Sequence, residues 1–138
     1  MDLSIYTDGG SRGNPGISGY GFVVFDQNHQ LIHQQSKFLG IKTNNEAEYM
    51  GVIDALTWVN QNLSRFSPQK IIFFSDSQLL VRQLQRVYKV KSPNLKPLFE
   101  SALSLISQIK VPVTFTDIRR ESNQLADSLA NQAMDKSI

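Results

Sequence analysis

The segment Ser4–Pro15 constrains the fold more than any other part of the chain. Its β-favouring residues Ile5–Thr7 predict a strand, and Asp8 places a carboxylate where that strand is expected to stop. Three closely spaced glycines follow: Gly9, Gly10 and Gly13. A backbone with so few side chains can be approached closely by another backbone or by a sugar. The segment predicts an acid displayed at a strand end, although a simple Asp-Gly turn accounts for the same residues.

Length and composition indicate one globular domain covering residues 1–138. The chain contains 41% hydrophobic residues and no cysteine, which excludes disulfides and thiolate metal sites. No apolar run is long enough to span a membrane, and the N-terminus carries no signal-like segment, so we expect a soluble, cytoplasmic protein with no membrane partner. We also expect it to be a monomer. The net charge of +2 permits a nucleic-acid partner without requiring one.

The pattern of apolar residues predicts an α/β fold. Three strands joined by short turns come first and imply an antiparallel meander, near 4–7, 19–25 and 31–38. Two more strands are expected at 70–75 and 111–118, the second near a sheet edge because it contains Pro112. Helices are expected over 43–62, 77–84, 98–109 and after Asn123. This order predicts a five-stranded mixed sheet, three antiparallel strands then two parallel ones, flanked by helices.

Two glutamates near the start of the long predicted helix differ in the side that they occupy. At roughly 100° per residue, Glu48 falls on the apolar side and Glu46 on the polar side. Glu46 therefore suits the helix dipole in solvent. Glu48 is turned toward the sheet, where an unpaired carboxylate is costly. It needs a cation, an arginine or backbone donors, and its spacing alone does not choose among them.

Asp76 repeats the arrangement at Asp8. It follows the near-continuous apolar run Lys70–Ser75, which is typical of a strand covered on both faces. It also precedes a helix, where an aspartate is a good N-cap, but an N-cap explains one such acid better than two. Asp127 borders the apolar stripe of the last helix, one turn after Asn123, and has no assigned role by itself.

Histidines and basic residues give weaker signals. His29 and His33 fall in the hairpin between the second and third strands with no acid nearby in the sequence, so surface polar positions explain them better than metal ligation. Between residues 77 and 99 no acid occurs, and basic residues gather around Tyr88: Arg82, Arg86, Lys89, Lys91 and Lys96. This set suits a phosphate-contacting rim and a solvated basic face equally well.

If the two strands that end in acids are neighbours, four carboxylates can converge: Asp8, Glu48, Asp76 and Asp127. Such a cluster could not stay ionised in a partly buried site without cations. Ligands that are all oxygens favour Mg²⁺ or Mn²⁺. Two such ions would clamp a phosphate, one activating water and the other steadying the leaving oxygen. The arrangement suits metal-dependent phosphodiester hydrolysis.

A collinear series of motifs over nearly the whole chain resembles the type 1 ribonuclease H family: Tyr6–Gly16, Thr43–Asn45, Ala47–Tyr49, Ser75–Gln78, Arg120–Asn123 and Ala126–Ala130. The resemblance implies the ribonuclease H-like fold. It also implies an endonuclease that cleaves the RNA strand of RNA/DNA hybrids with two metal ions and leaves a 3′-hydroxyl and a 5′-phosphate. By matched position, the metal-binding and catalytic acids would be Asp8, Glu48, Asp76 and Asp127, which agrees with the inward projection of Glu48.

The resemblance also implies how RNA is told from DNA, which requires contacts at the 2′-hydroxyl. Glu48 would accept a hydrogen bond from a 2′-hydroxyl, and Thr43 would hold a DNA-strand phosphate together with basic side chains. The other implied substrate-binding residues are Gly9, Gly10, Ser11, Arg12, Gly13, Asn14, Asn44, Asn45, Gln78, Arg120 and Asn123.

The chain departs from the family pattern in two places. Many members carry a histidine shortly before the last acid, but residues 117–123 contain none. Arg119 or Arg120 would contact phosphate there instead, since an arginine cannot serve as a general acid. The basic extension between the second and third helices is also missing, because that connection is only 86–96. The chain resembles the compact branch without the histidine, for which we expect weaker hybrid binding and a preference for Mn²⁺.

Two other functions stay open. One is a non-catalytic hybrid-binding module, against which the presence of all four acids argues. The other is a different nuclease of the same superfamily, resolvase-like or integrase-like, against which the set of 2′-hydroxyl readers argues. Double-stranded RNA and RNA–DNA junctions stay open as further substrates. The residues themselves fit either Mg²⁺ or Mn²⁺, and the expected preference for Mn²⁺ comes from the resemblance alone.

Overall fold

The structure of the chain, a computed structural model, describes residues 1–136. Its elements in chain order are β1 (Asp2–Arg12), β2 (Gly16–Phe25), β3 (Leu31–Lys42), α1 (Asn44–Phe66), β4 (Lys70–Ser75), α2 (Gln78–Leu84), α3 (Lys96–Gln108), β5 (Val113–Asp117), a 3₁₀ turn (Arg120–Ser122) and α4 (Gln124–Asp135). The strands form one five-stranded sheet in the order β3-β2-β1-β4-β5. Strands β1, β2 and β3 pair antiparallel, whereas β1, β4 and β5 pair parallel. The predicted mixed sheet is confirmed.

Strand β1 is longer than the sequence predicts, because it does not stop at Asp8. Its parallel ladder with β4 ends at the pair Thr7–Ser75, but its antiparallel ladder with β2 continues to Arg12–Ile17. The glycines after Asp8 are therefore mostly strand residues, and the turn is confined to residues 13–15. The expected strand end at Asp8 is wrong for β1 itself. What ends there is the pairing with β4, which leaves Asp8 at the open end of the parallel half of the sheet.

Helices α1 and α4 lie on opposite faces of the sheet. Neighbouring strand residues point to opposite faces, and a Cβ atom on Gly9 would meet α1, whereas one on Gly10 would have α4 among its nearest neighbours. The main core lies between the sheet and α1, and α3 packs against α1. Its largest fully buried side chains include Tyr20, Tyr49, Phe22 and Phe73. This core holds α1 rigidly over β1 and β2.

Helix boundaries differ from the predicted ones by a few residues, and capping explains the largest difference. Helix α1 continues to Phe66 because Ser67 adopts a left-handed conformation (φ 44°) and donates its N–H to Leu63. Helix α3 begins at Lys96, with a proline in its first turn. Strand β5 lies at a sheet edge, as predicted. In the part of the chain that the structure describes, no helix has the length and apolar character needed to cross a membrane.

Candidate active site

Three carboxylates meet at the end of the β1–β4 ladder. One carboxylate oxygen from each of Asp8, Glu48 and Asp76 lies within 4.8 Å of the other two. Asp8 follows the last ladder pair on β1, Asp76 follows the end of β4, and Glu48 projects from the start of α1. Asp8 and Glu48 are buried, and Asp76 is half-buried. The structure thus brings together three of the four acids that the sequence singled out.

The position of Glu48 depends on how closely α1 approaches β1. A Cβ atom on Gly9 would stand 2.5 Å from the carbonyl carbon of Ala47, so only a glycine lets α1 lie this low. Glu48 Oε1 accepts a hydrogen bond from the Gly9 N–H, and Oε2 lies 3.4 Å from the Ser75 hydroxyl. The close approach that the glycines predicted is therefore made, at Gly9, by the backbone of α1. No lysine or arginine among residues 1–136 forms an ion pair with Glu48.

Glu46 has a different role, as its place on the helix predicts. Its side chain accepts a hydrogen bond from the Thr43 N–H at 2.9 Å, and Thr43 Oγ1 accepts one from the Glu46 N–H at 3.1 Å. Together they form a capping box at the start of α1. Glu46 is thus occupied in capping and does not join the three acids. The Thr43 hydroxyl keeps its own proton to donate, as a phosphate contact requires.

Asp76 is not the N-cap of α2. That position belongs to Ser77, whose Oγ accepts a hydrogen bond from the Leu80 N–H at 3.2 Å. The interpretation of Asp76 as a helix cap is therefore wrong, and its carboxylate faces the other acids. Ser75, the buried last residue of β4, accepts a hydrogen bond from the Ser77 N–H at 3.1 Å and so fixes the turn that carries Asp76.

Asp127 lies beside the three acids, next to Asp8. Helix α4 crosses β2 at Gly21, where a Cβ atom would be 2.4 Å from the Cβ of Leu129. Gly21 is the ladder partner of Asp8, so this crossing brings the first turn of α4 to the site. Asp127 and Asp8 line one cleft, and the Asp127 side chain contributes to raising the pKa of Asp8. Asp127 therefore borders the cluster, although it is not among the three acids within 4.8 Å of one another.

Burial and mutual repulsion make this cluster hard to ionise. Burial, followed by the charge of Asp76, raises the pKa of Asp8 from 3.8 to about 7. Burial and the two neighbouring acids raise the pKa of Glu48 well above its usual range. Burial also raises the pKa of Asp76, while the positive charge of Arg120 opposes that rise. Oxygen donors that repel one another are stabilised by a hard divalent cation, so this set fits Mg²⁺ or Mn²⁺.

Several residues predicted to contact substrate surround the acids. A cleft of about 370 Å³ contains the three acids and is also lined by Gly9, Asn44, Asn45, Ser77 and Arg120. The Ser11 N–H donates to Asn44 Oδ1 at 2.8 Å, and the Asn44 N–H donates to Asn14 Oδ1 at 3.0 Å. The β1–β2 hairpin and α1 therefore hold each other in place. Four predicted contact residues are exposed around this cleft or at the start of α2: Asn44, Asn45, Gln78 and Arg120.

Other predicted contact residues serve the hairpin itself. Arg12 forms an ion pair with Asp135 at 2.7 Å, which joins the end of β1 to the end of α4. Gly13 adopts φ 105°, a conformation that the tight turn requires and that favours glycine. Gly10 has room for a side chain, since the nearest atoms to an added Cβ lie at 3.8 and 3.9 Å.

Asn123 is buried against β1 instead of lying on the surface. It is only 1% exposed, and its Nδ2 donates a hydrogen bond to the Thr7 carbonyl at 2.8 Å. The prediction that Asn123 contacts substrate does not agree with this burial. Because this buried amide bonds to β1 at the residue before Asp8, it supports the position of the acids and does not face the cleft.

The histidines are packed against aromatic rings, away from the three acids. His29 stacks on Phe25 and His33 on Trp58, with ring centroids 4.4 and 4.9 Å apart. Of the basic residues near Tyr88, Arg82 is engaged by Asp117 at 3.2 Å, and the others are exposed: Arg86, Lys89, Lys91 and Lys96. The phosphate-contacting rim stays a prediction for these four.

Sequence reasoning missed two contributors to the site, Ser75 and Gly21. Each left a signal. Ser75 is a polar residue that ends an apolar strand, and Gly21 interrupts a strand where side chains are expected. A glycine within a strand often marks a close approach by another backbone, which here is that of α4.

Known proteins are similar to this chain over most of its length. The family model described as "Reverse transcriptase-like" matches residues 6–133. The Ribonuclease H of Ruthia magnifica is 32% identical, and the alignment covers 97% of this chain and 96% of that protein. A bifunctional protein of Mycobacterium tuberculosis is 40% identical over 98% of this chain, but the chain spans only 36% of its length. Among solved structures, LC11-RNase H1 in complex with RNA/DNA hybrid has a sequence 40% identical to this chain. The match covers 98% of each chain with a TM-score of 0.93, and LC11-RNase H1 was isolated from compost.

Proposed function

The chain belongs to the ribonuclease H family, and on that basis we propose that it hydrolyses the RNA strand of RNA/DNA hybrids as an endonuclease. The observation that carries the proposal is the cluster of Asp8, Glu48 and Asp76 at an open cleft. A protein that only bound hybrids would have no use for carboxylates whose repulsion must be offset by cations. The hybrid bound by LC11-RNase H1 supports the same class of substrate for this chain.

The proposed metal-binding and catalytic residues are Asp8, Glu48, Asp76 and Asp127, with two Mg²⁺ or Mn²⁺ ions in the site. When bound, such ions would activate a water toward the phosphorus and stabilise the departing 3′ oxygen. The water oxygen would then bond to phosphorus as the P–O3′ bond breaks, leaving a 3′-hydroxyl and a 5′-phosphate. The protein holds the acids at a fixed spacing from two strands and two helices. The Gly9 N–H orients the Glu48 carboxylate through Oε1. Arg120 adds a positive charge beside Asp76.

Recognition of RNA is proposed for the junction between the β1–β2 hairpin and α1. The Ser11 N–H occupies Asn44 Oδ1, which leaves the Nδ2 donors of Asn44 for a 2′-hydroxyl or a base edge. The exposed amides of Asn45 and Gln78 suit the same purpose. Phosphates would be held by the Thr43 hydroxyl and by Arg120, with further contacts from residues 9–14.

We further propose one domain over residues 1–138 that acts as a monomer in the cytoplasm. The single sheet that joins all five strands supports the one-domain proposal. Double-stranded RNA and RNA–DNA junctions are candidate further substrates, since both present a 2′-hydroxyl. A preference for Mn²⁺ is also proposed, on the resemblance to the branch of the family that lacks the histidine, since residues 117–123 contain none.

The test is cleavage of end-labelled substrates with Mg²⁺ or Mn²⁺ in parallel. RNA/DNA hybrid is compared with single-stranded RNA, double-stranded RNA, an RNA–DNA junction and duplex DNA. The expected result is metal-dependent cutting of the RNA strand of the hybrid, with 5′-phosphate ends, and loss of cutting in Asp8→Asn. Hybrid binding by Asp8→Asn, measured by fluorescence anisotropy, separates lost chemistry from lost binding.

Two results would contradict the proposal. Folded protein that binds hybrid but cuts no substrate with either metal would indicate a binding module. Cutting of duplex DNA or DNA junctions in preference to the hybrid would indicate another nuclease of the superfamily.

A further inference from the structure

Asn123 is an unusual residue to find at the start of a helix. It occupies the N-cap position of α4, yet its side chain makes no hydrogen bond to that helix. An asparagine at an N-cap ordinarily accepts a hydrogen bond from the helix backbone. Here the side chain is buried, and Nδ2 donates to the Thr7 carbonyl of β1 at 2.8 Å. The amide therefore bonds to the sheet and not to its own helix.

This one residue is connected to the segments that carry three of the four acids. Thr7, whose carbonyl it caps, immediately precedes Asp8 and forms the last pair of the β1–β4 ladder. The partner of Thr7 in that pair, Ser75, immediately precedes Asp76. The Asn123 carbonyl accepts a hydrogen bond from the Asp127 N–H at 3.1 Å.

The carbonyl oxygen of the Asn123 side chain shows that this residue does more than stabilise the fold. Asn123 Oδ1 is buried and has no hydrogen-bond partner among residues 1–136. A buried acceptor without a partner is unfavourable for folding. The presence of an amide at this position is therefore explained by the bond that Nδ2 makes to β1, at the residue before Asp8.

We propose that Asn123 is a positioning residue that fixes the spacing of Asp8, Asp76 and Asp127 and thereby sets the affinity of the site for divalent cations. This role replaces the substrate contact that the sequence predicted for it. The inference rests on the proposed function only in treating the acids as a metal site. It does not require nuclease activity, and its primary test, the binding of Mn²⁺, uses no substrate.

The primary experiment is a calorimetric titration of the full chain with Mn²⁺ in the absence of nucleic acid. Asn123→Ala and Asn123→Ser both remove the amide, and each is expected to weaken Mn²⁺ binding by about 10-fold, the usual cost of losing a residue that orients metal ligands. Hybrid affinity measured in EDTA is expected to stay at the wild-type value. In cleavage assays the Mn²⁺ concentration for half-maximal activity rises, activity recovers at high Mn²⁺, and KM for the hybrid is unchanged.

Asn62→Ala is the matched control. Asn62 also donates its Nδ2 to a backbone carbonyl, that of Trp58, at 2.7 Å. It lies 14 residues after Glu48 along α1, about 21 Å away at the rise of an α-helix. Its loss removes a comparable hydrogen bond far from the acids, so Mn²⁺ affinity is expected to stay at the wild-type value.

The outcomes separate this inference from the proposed function. If the Asn123 variants keep wild-type Mn²⁺ affinity but bind hybrid more weakly, Asn123 contacts substrate as the sequence predicted. That result would overturn this inference but not the proposed function. Equal weakening of Mn²⁺ binding in Asn62→Ala would also overturn it, because the effect would then be general. If Asn123→Ala does not fold, Asn123→Ser supplies the comparison. Wild-type protein that binds no Mn²⁺ would overturn the proposed function as well.

Discussion

Gly9 and Ala47 are in direct backbone contact, so that a Cβ atom at position 9 would lie 2.5 Å from both the carbonyl carbon and the carbonyl oxygen of Ala47. This contact determines the height of α1 above β1. It therefore also determines where Glu48, the next residue along α1, meets Asp8. The arrangement of the acids depends on a residue that has no side chain.

Gly9→Ala is expected to destabilise the protein and to lower its activity strongly. The added methyl group must push the start of α1 away, at a cost of about 1–3 kcal/mol in the free energy of unfolding. A displacement of Glu48 by about 1 Å lowers kcat by about 100-fold or more. Urea unfolding and hybrid cleavage measure the two effects.

Gly10→Ala is the control for this substitution, since atoms near an added Cβ lie at 3.8 and 3.9 Å. Its free energy of unfolding is expected to stay within about 0.5 kcal/mol of wild type. A Gly9→Ala protein as stable and active as wild type would show that α1 has more freedom than the contact with Ala47 implies.

The raised pKa of Asp8 predicts how the stability of the metal-free protein depends on pH. Its pKa is 3.8 in the unfolded chain and about 7 in the folded one. Between these values the folded state holds a proton that the unfolded state has released, so stability falls as pH rises. Asp8→Asn removes this loss and is expected to be more stable than wild type in EDTA at about pH 8, by about 1–4 kcal/mol.

The measurement is urea unfolding of both proteins in EDTA across this pH range. The advantage of Asp8→Asn is expected to shrink toward about pH 4, where the wild-type carboxyl is protonated in the folded state. If Asp8→Asn were no more stable than wild type at high pH, or more stable by the same amount at every pH, folding would not raise the pKa of Asp8.

Divalent cations are expected to reverse the effect of pH on wild-type protein. Ions that bind the native cluster but not the unfolded chain stabilise the fold by about 2.7 kcal/mol at 100 times their Kd. Added Mn²⁺ should therefore raise the Tm of wild type at neutral pH and raise that of Asp8→Asn much less. An equal rise in both would place the cation at some other site.

The sequence predicted the parts of this structure that depend on local patterns. The helical repeat of apolar residues in α1 placed Glu48 and Glu46 on different sides of the helix. The apolar run before Asp76 indicated a buried parallel strand. The parts that it missed depend on contacts between distant segments. Pairing with β2 extends β1 through glycines that have little strand propensity of their own, because a partner strand supplies the hydrogen bonds.

Burial of Asn123 and the capping role of Ser77 were also out of reach of local patterns. Asn123 has polar neighbours on both sides in the sequence, and only the packing of α4 on the sheet buries it. Either Asp76 or Ser77 could cap α2 by residue type. The choice is made by the β4 end, where Ser75 binds the Ser77 N–H and leaves Asp76 facing Asp8.

The two glutamates of α1 provide the sharpest test of the site, because they are two residues apart and differ in role. Glu48→Gln keeps the size of the side chain but removes a charge from the cluster. It is expected to lower kcat by about 100-fold or more, since charge stabilisation by a metal site is worth several kcal/mol. Its stability in EDTA should rise above about pH 4.5, because the raised pKa of Glu48 makes folding of the wild type require proton uptake there.

Glu46→Ala is expected to show the opposite pattern. It removes the side-chain half of the capping box with Thr43 and should cost about 1 kcal/mol in the free energy of unfolding. Its kcat should remain near that of wild type, since Glu46 does not join the three acids. Steady-state cleavage of a hybrid and urea unfolding of both variants measure the contrast. If Glu46→Ala lost activity while Glu48→Gln kept it, the assignment of the two glutamates would have to be exchanged.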